Sequence, residues 1–163
     1  MKKINILIST FFGCGYLTKI PGTVTSLVTT IFIYIAYEHL GYTDLKFSII
    51  FFLLLFFYSF YAVKDSESEF KNKDPRQIVV DEVLGQAMPL ILVLYLSQKH
   101  QLTLPIEIYY VLSFIFFRFF DILKPFPVSY FDKNFKNYFG IIMDDIMAGL
   151  YSMLLIYLIS LKF

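Results

Sequence analysis

Apolar residues in this chain come in long uncharged blocks rather than at a soluble helix's spacing. Ile20 to Tyr37, Phe47 to Val63, Val83 to Gln98 and Ile146 to Leu161 contain no Asp, Glu, Lys or Arg. A membrane-spanning helix needs roughly 20 mostly apolar residues, with a range near 17–25. A fifth block, Ile108 to Phe117, reaches that length only with Leu102 to Glu107 or the turns beyond Phe117. Pro21-Gly22 is expected to delay the first helix until after a turn. Gly85 and Pro89 interrupt the third block, and membrane helices tolerate both better than soluble ones do. The pattern predicts spans at about 24–37, 47–63, 83–97, 104–117 and 146–161, the fourth being either a span or a re-entrant helix. The expected fold is all-α: a compact polytopic membrane bundle of four to five short spanning helices in one domain, 1–163.

Composition supports that class. Of 163 residues, 58% are hydrophobic and 17% charged, and the mean hydropathy is +0.66. Soluble domains run at about 45–50% and 25%, and a chain this short still exposes about a third of its surface. The lone Cys14 allows no intrachain disulfide, and a net charge of +1 gives no reason to expect a nucleic-acid partner. Met1-Lys2-Lys3 before Ile4 to Phe12 has the outline of a signal peptide. The apolar run is short and no A-x-A-like site follows, so the segment is expected to belong to the mature protein.

Charge sets the orientation. With these spans, the segments 1–23, 64–82 and 118–145 share one side of the membrane and hold eleven of the fourteen basic residues, Lys71, Lys73 and Arg76 among them. Only Lys46, Lys99 and Lys162 are left for the other side, so the N-terminal side is expected to be cytoplasmic. All acids except Glu38, Asp44 and Glu107 fall there too. Acids do not set topology, so their clustering calls for a functional cause. The mixed charges of 64–82 read mostly as a solvated helix end and loop, with Asp74-Pro75 as a turn.

Four clusters on that face could carry chemistry. Gly13-Cys14-Gly15 leads to Lys19-Ile20-Pro21-Gly22-Thr23, where Lys19, Thr23 and free amides could cradle a phosphate; a re-entrant turn with Thr23 or Thr25 as helix cap is the structural alternative. Asp81-Glu82 opens the third span with Gly85 one turn on, and two carboxylates entering an apolar helix are costly unless paired or bound to a cation. Arg118, Asp121 and Lys124 recur at i, i+3, i+6, and so share one side of a helix; this suits a phosphate-and-metal site, or an ion-pair ladder at the membrane surface. Asp144 could cap the last span, which leaves Asp145 unexplained. A hard divalent cation with oxygen ligands, such as Mg²⁺, would relieve the repulsion among Asp81, Glu82, Asp121, Asp144 and Asp145. The only histidines, His39 and His100, fall on the far side, which argues against a His nucleophile or a His-rich zinc site. Cys14 lacks the Arg that a Cys-dependent phosphatase needs, position 20 being Ile20.

In this order, the clusters resemble the bacterial phosphatidylglycerophosphatase A family. The resemblance is carried by Gly13-x-Gly15, Lys19-Ile20-Pro21-Gly22-Thr23, Asp81-Glu82-x-x-Gly85, Phe117-Arg118-x-x-Asp121-x-x-Lys124-Pro125-x-Pro127, Asp132, and Gly140-Ile141-x-x-Asp144-Asp145-x-x-Ala148-Gly149. It spans about Phe12 to Gly149. Thr25 stands where a glycine is usual, and the glycine-rich approach to the last Asp pair is reduced to Asn137-Tyr138-Phe139-Gly140.

The resemblance implies a Mg²⁺-dependent lipid phosphatase of the bacterial inner membrane. It would hydrolyse phosphatidylglycerophosphate to phosphatidylglycerol and phosphate on the cytoplasmic face. Asp81, Asp121, Asp144 and Asp145 are the expected catalytic residues, and with Glu82 the expected Mg²⁺ ligands. Lys19, Thr23, Arg118 and Lys124 would bind the substrate phosphate. Attack by an activated water or through an aspartyl-phosphate both fit this set. The alternatives are a phosphatase for another lipid phosphomonoester, a non-enzymatic divalent-cation membrane protein, or a soluble all-α domain.

Overall fold

A computed structural model describes residues 2–70 and 75–162. Lys71, Lys73 and the Asp74 half of the expected turn lie outside the described residues. Among those described there are seven α-helices and no strands: α1 (Lys2–Ser9), α2 (Pro21–Tyr34), α3 (Leu45–Ser66), α4 (Val80–Gln98), α5 (Ile106–Leu123), α6 (Val128–Asn134) and α7 (Tyr138–Lys162). Each of the five predicted spans overlaps one of the long helices. Three of them, α3, α4 and α7, are long and apolar enough on their own to cross a membrane. The first of the remaining two, α2, is 14 residues long and runs on as a π-helical turn, Ile35–His39; the other, α5, carries Glu107, Arg118 and Asp121.

The bundle is apolar outward. Half of α7's apolar window and 61% of α4's are buried inside the protein, but only 17% of α3's, so α4 is central and α3 presents Phe51, Leu54 and Phe57 to its surroundings. The buried face of α2 is Pro21, Gly22, Thr25, Ser26, Thr29 and Thr30, while its Leu27, Ile31 and Phe32 point out. Small and polar inside with large apolar outside reverses the soluble pattern, and it matches helices packed through small residues in lipid. Ser26 and Thr30 donate to the carbonyls of Gly22 and Ser26, each at 2.9 Å, so these hydroxyls are satisfied within their own helix.

Two helix starts differ from the sequence expectation. Pro21 begins α2 rather than delaying it, because the first helical position needs no N–H and suits proline's fixed φ. Thr23 and Thr25 therefore lie inside the helix and cap nothing. α7 starts at Tyr138, eight residues before the expected span, and Asn137 Oδ1 accepts from the amides of Phe139 (3.1 Å) and Gly140 (3.2 Å). With the cap supplied by Asn137, Asp144 stands well inside the helix. The N-terminal run forms α1 on the flank of α3, where buried Asn5 donates to Asp65 (2.8 Å) and accepts from the Tyr58 hydroxyl (2.7 Å).

The tightest crossing joins α4 to α7. A Cβ on Gly149 would lie 2.6 Å from the Gly85 carbonyl oxygen, and a Cβ on Gly85 would lie 2.6 Å from the Asp145 carbonyl oxygen and collide with the Phe117 ring. Asp81 and Asp145 each stand four residues, about one turn, before one of these glycines. The crossing therefore brings the two acids together. Gly85→Ala is expected to cost about 1–3 kcal/mol through overpacking, measured as thermal unfolding in detergent. Leu54→Ala on the outer face of α3 should change stability by less than about 0.5 kcal/mol.

Candidate active site

Four segments meet at one end of the bundle: the loop before α2, the start of α4, the end of α5 with α6, and the first two turns of α7. Between them is a cavity of about 410 Å³. Every site residue expected from the sequence lines it. Lys19 and Thr23 come from the first segment, Asp81 and Glu82 from α4, Arg118, Asp121 and Lys124 from α5 and its end, and Asp144 and Asp145 from α7. His39 and His100 are exposed and do not line the cavity, in keeping with their expected place on the far side.

The acids divide into two kinds. Asp81, Glu82 and Asp145 each offer a carboxylate oxygen within 4.8 Å of the others. At an effective dielectric of 20, two ionised groups at that distance repel by roughly 3 kcal/mol. Asp81 Oδ1 and Glu82 Oε2 are buried and accept no hydrogen bond among the described residues. Asp121 is instead ion-paired with Arg118, and Asp144 receives a 2.6 Å hydrogen bond from the Lys124 ammonium. A convergent trio with orphaned oxygens is what a hard cation with oxygen ligands requires, so the donor set fits Mg²⁺. Asp121 and Asp144 border that trio as partners of cations.

Local backbone sets these partners. α5 ends at Lys124, whose φ of 46° is left-handed, as the following Pro125 disfavours a further helical turn. The Lys124 side chain turns back to Asp144 on α7 and to Asp132 on α6, the latter at 2.7 Å. Burial alone would lower the Lys124 pKa, but the two carboxylates outweigh it and raise it above the ordinary lysine value. Burial would raise that of Asp132, and the hydrogen bond from Lys124 holds it below the usual carboxylate range. On the opposite wall, Gly22 lets Glu82 and Arg118 approach the first turn of α2; a Cβ there would collide with the Glu82 carboxylate and lie 3.3 Å from Arg118 Nη1.

Sequence reasoning left three charged cavity residues without a role: Arg76, Asp132 and Lys136. Asp132 is part of the family resemblance and eight residues from its partner Lys124, a spacing that carries no helical signal because the chain turns between α5 and α6. Arg76 lies five residues before Asp81 within a polar stretch that reads as loop.

Six carboxylates and five cations thus line a cavity at the end of an apolar bundle. Such a lining suits an anionic group held together with a cation, and the class of the protein is phosphoric monoester hydrolase. The family model of phosphatidylglycerophosphatase A matches residues 7–160, and the chain belongs to that family. It is 34% identical to the Haemophilus influenzae phosphatidylglycerophosphatase A over 165 residues, which cover 98% of this chain and 94% of that one. A Bacteroides thetaiotaomicron protein, provisionally named a phosphatidylinositol-3-phosphatase, is 36% identical over 94% of this chain and 91% of its own. The Escherichia coli phosphatidylglycerophosphatase A is 27% identical over 94% and 82%. No solved structure matches the chain.

Lys124→Met leaves the Asp144 carboxylate without its partner and is expected to cost about 1–3 kcal/mol. Adding Asp144→Asn should recover part of that loss. The double-mutant cycle, read from unfolding in detergent, checks the coupling; additive effects would sink it.

Proposed function

We propose that this protein is a Mg²⁺-dependent phosphatase that removes the terminal phosphate of phosphatidylglycerophosphate at the cytoplasmic face of the bacterial inner membrane. The observation that carries the reading is the trio of Asp81, Glu82 and Asp145, with orphaned oxygens on Asp81 and Glu82, in one cavity with Arg118, Lys124 and Lys19. Summed over its ionised side chains the cavity is one charge negative, six acids against five bases. A phosphomonoester adds further negative charge, so the substrate needs a cation to enter.

Asp81, Glu82 and Asp145 hold Mg²⁺. When bound, the ion supplies Lewis-acid polarisation of phosphoryl oxygens and favours a water nucleophile at neutral pH. The protein's own groups bind and orient. Arg118, fixed by Asp121, and Lys124, fixed by Asp132 and Asp144, present their N–H donors to the phosphoryl oxygens and stabilise the charge that grows there in the transition state. Thr23 donates its hydroxyl from the first turn of α2, and Lys19 adds positive charge at the cavity mouth. All six acids are thereby occupied in holding a cation or an ion pair, which favours water over an aspartate as the attacking group. The concentration of basic residues at this end of the bundle supports the cytoplasmic orientation.

The test is phosphate release by detergent-purified protein from phosphatidylglycerophosphate. Release should require Mg²⁺, stop with EDTA, and fall at least about a hundredfold in folded Asp145→Asn. In the same preparation Mg²⁺ should raise the unfolding temperature of the wild type, a stabilisation of about 2.7 kcal/mol at a hundredfold excess over its Kd, and shift Asp145→Asn much less. A second reading, a phosphatase for another phospholipid monoester, is favoured by the Bacteroides relative's name. Mg²⁺-dependent release from phosphatidylinositol 3-phosphate in preference to phosphatidylglycerophosphate would establish it.

A further inference from the structure

The carboxylate cavity continues into a second pocket of about 290 Å³, lined in part by Gly15, Tyr16 and Gln77, and the two share Lys19, Pro21 and Arg76. The only charged residues of the second pocket are Lys19 and Arg76, both cations. Arg118 and Lys124 are engaged by carboxylates, whereas among the described residues neither Lys19 nor Arg76 forms an ion pair. The two cations are brought together by backbone packing. Gly15 lies directly against the Gln77 carbonyl, where any Cβ would collide, and the Val79 amide donates to the Ser9 carbonyl at 2.8 Å. The segments carrying Lys19 and Arg76 are thus clamped to each other. Around Lys19 the surface becomes apolar, with Tyr16, Leu17 and Ile20 all more than half exposed.

A phospholipid with a terminal phosphomonoester has two anions in a fixed order: the monoester, a spacer, the phosphodiester, then the acyl chains. The protein offers a counterpart to each part. The carboxylate cavity holds the trio with Arg118 and Lys124, Lys19 and Arg76 stand where that cavity and the second pocket join, and Leu17 and Ile20, beside Lys19 in the chain, are exposed apolar side chains. We infer that Lys19 and Arg76 form a second anion site that holds the phosphodiester of the lipid while its monoester lies in the carboxylate cavity. The inference rests on the proposed function in requiring a phospholipid monoester as substrate. It assigns Lys19 to the diester and gives Arg76 a role in specificity. The distance between the two anion sites then selects lipids by the length of their spacer, and a lipid without a diester forgoes the second site.

Two measurements test it. The first is calorimetric titration of the detergent-purified protein with dihexanoyl phosphatidylglycerol, which carries the diester and no monoester. Arg76→Glu should weaken binding about tenfold, the loss of one charge-assisted hydrogen bond, and Arg76→Lys should retain most of it. The second is the ratio of kcat/KM for phosphatidylglycerophosphate to that for phosphatidic acid, a lipid monoester with no diester. That ratio should fall about tenfold in Arg76→Glu, through KM rather than kcat. No binding by the wild type, unchanged affinity in Arg76→Glu, or an equal loss on both lipids would overturn the second site. Absence of phosphate release from either lipid by the wild type would instead remove the proposed function, and the titration would still decide whether the diester site exists.

Discussion

The close approach of α4 and α7 is the constraint from which the rest of the site follows. In lipid, helices gain little from burying apolar side chains against one another, so contact depends on small residues that let backbones meet. Gly85 and Gly149 supply such a contact, and the Phe117 ring of α5 closes over Gly85. One turn above, the same geometry leaves Asp81 and Asp145 no separation in which to avoid each other. The acids are therefore held together by backbone packing they do not contribute to. Ionising all three acids of the trio at this distance is costly unless a cation joins them.

The other charges make that arrangement affordable. Each cation of the inner cavity contributed by α5 is matched to acids outside the trio: Arg118 to Asp121, and Lys124 to Asp132 and Asp144. Both cations are ion-paired, and the trio is left as the locus of uncompensated negative charge. Pairing also gives Arg118 and Lys124 fixed directions, which matters more for a transferring phosphoryl group than charge alone. A free lysine in the same place would be drawn to the trio and neutralise part of its charge.

Much of this was legible in the sequence, for identifiable reasons. Long uncharged blocks marked four of the five long helices and the shorter block Ile108 to Phe117 marked the fifth, and acids at block edges marked the cavity, because ionised groups at such places are costly without a purpose. What composition hid was where helices begin. Pro21 read as a delay and is the first residue of α2; Asp144 read as a cap, and Asn137 takes that role from seven residues upstream. Those starts decide which way each acid points, so the split between the trio and the ion-paired aspartates was out of reach. The pairing of Lys124 with Asp132 was hidden too, since it arises from the left-handed residue that ends α5 and the turn into α6. Arg76 was invisible for a different reason: its neighbour in space, Lys19, is brought to it by Gly15 packing on Gln77 across sixty residues of chain.

The position of the cavity also explains why a phosphatase site belongs at the end of such a bundle rather than in its middle. The outer faces of α2 and α3 are largely apolar, whereas eleven of the twenty-one residues lining the cavity are charged. A lipid whose chains stay among those outer faces can present only its head group at this depth. Moving the carboxylates one or two turns deeper along α4 and α7 would surround them with Leu84, Leu90 and Ile146, where neither water nor a hydrated cation could be supplied and the head group could not follow. Moving them outward would remove them from the glycine crossing that forces them together. The cavity meets both requirements by lying one turn from the crossing, at the end of the apolar bundle.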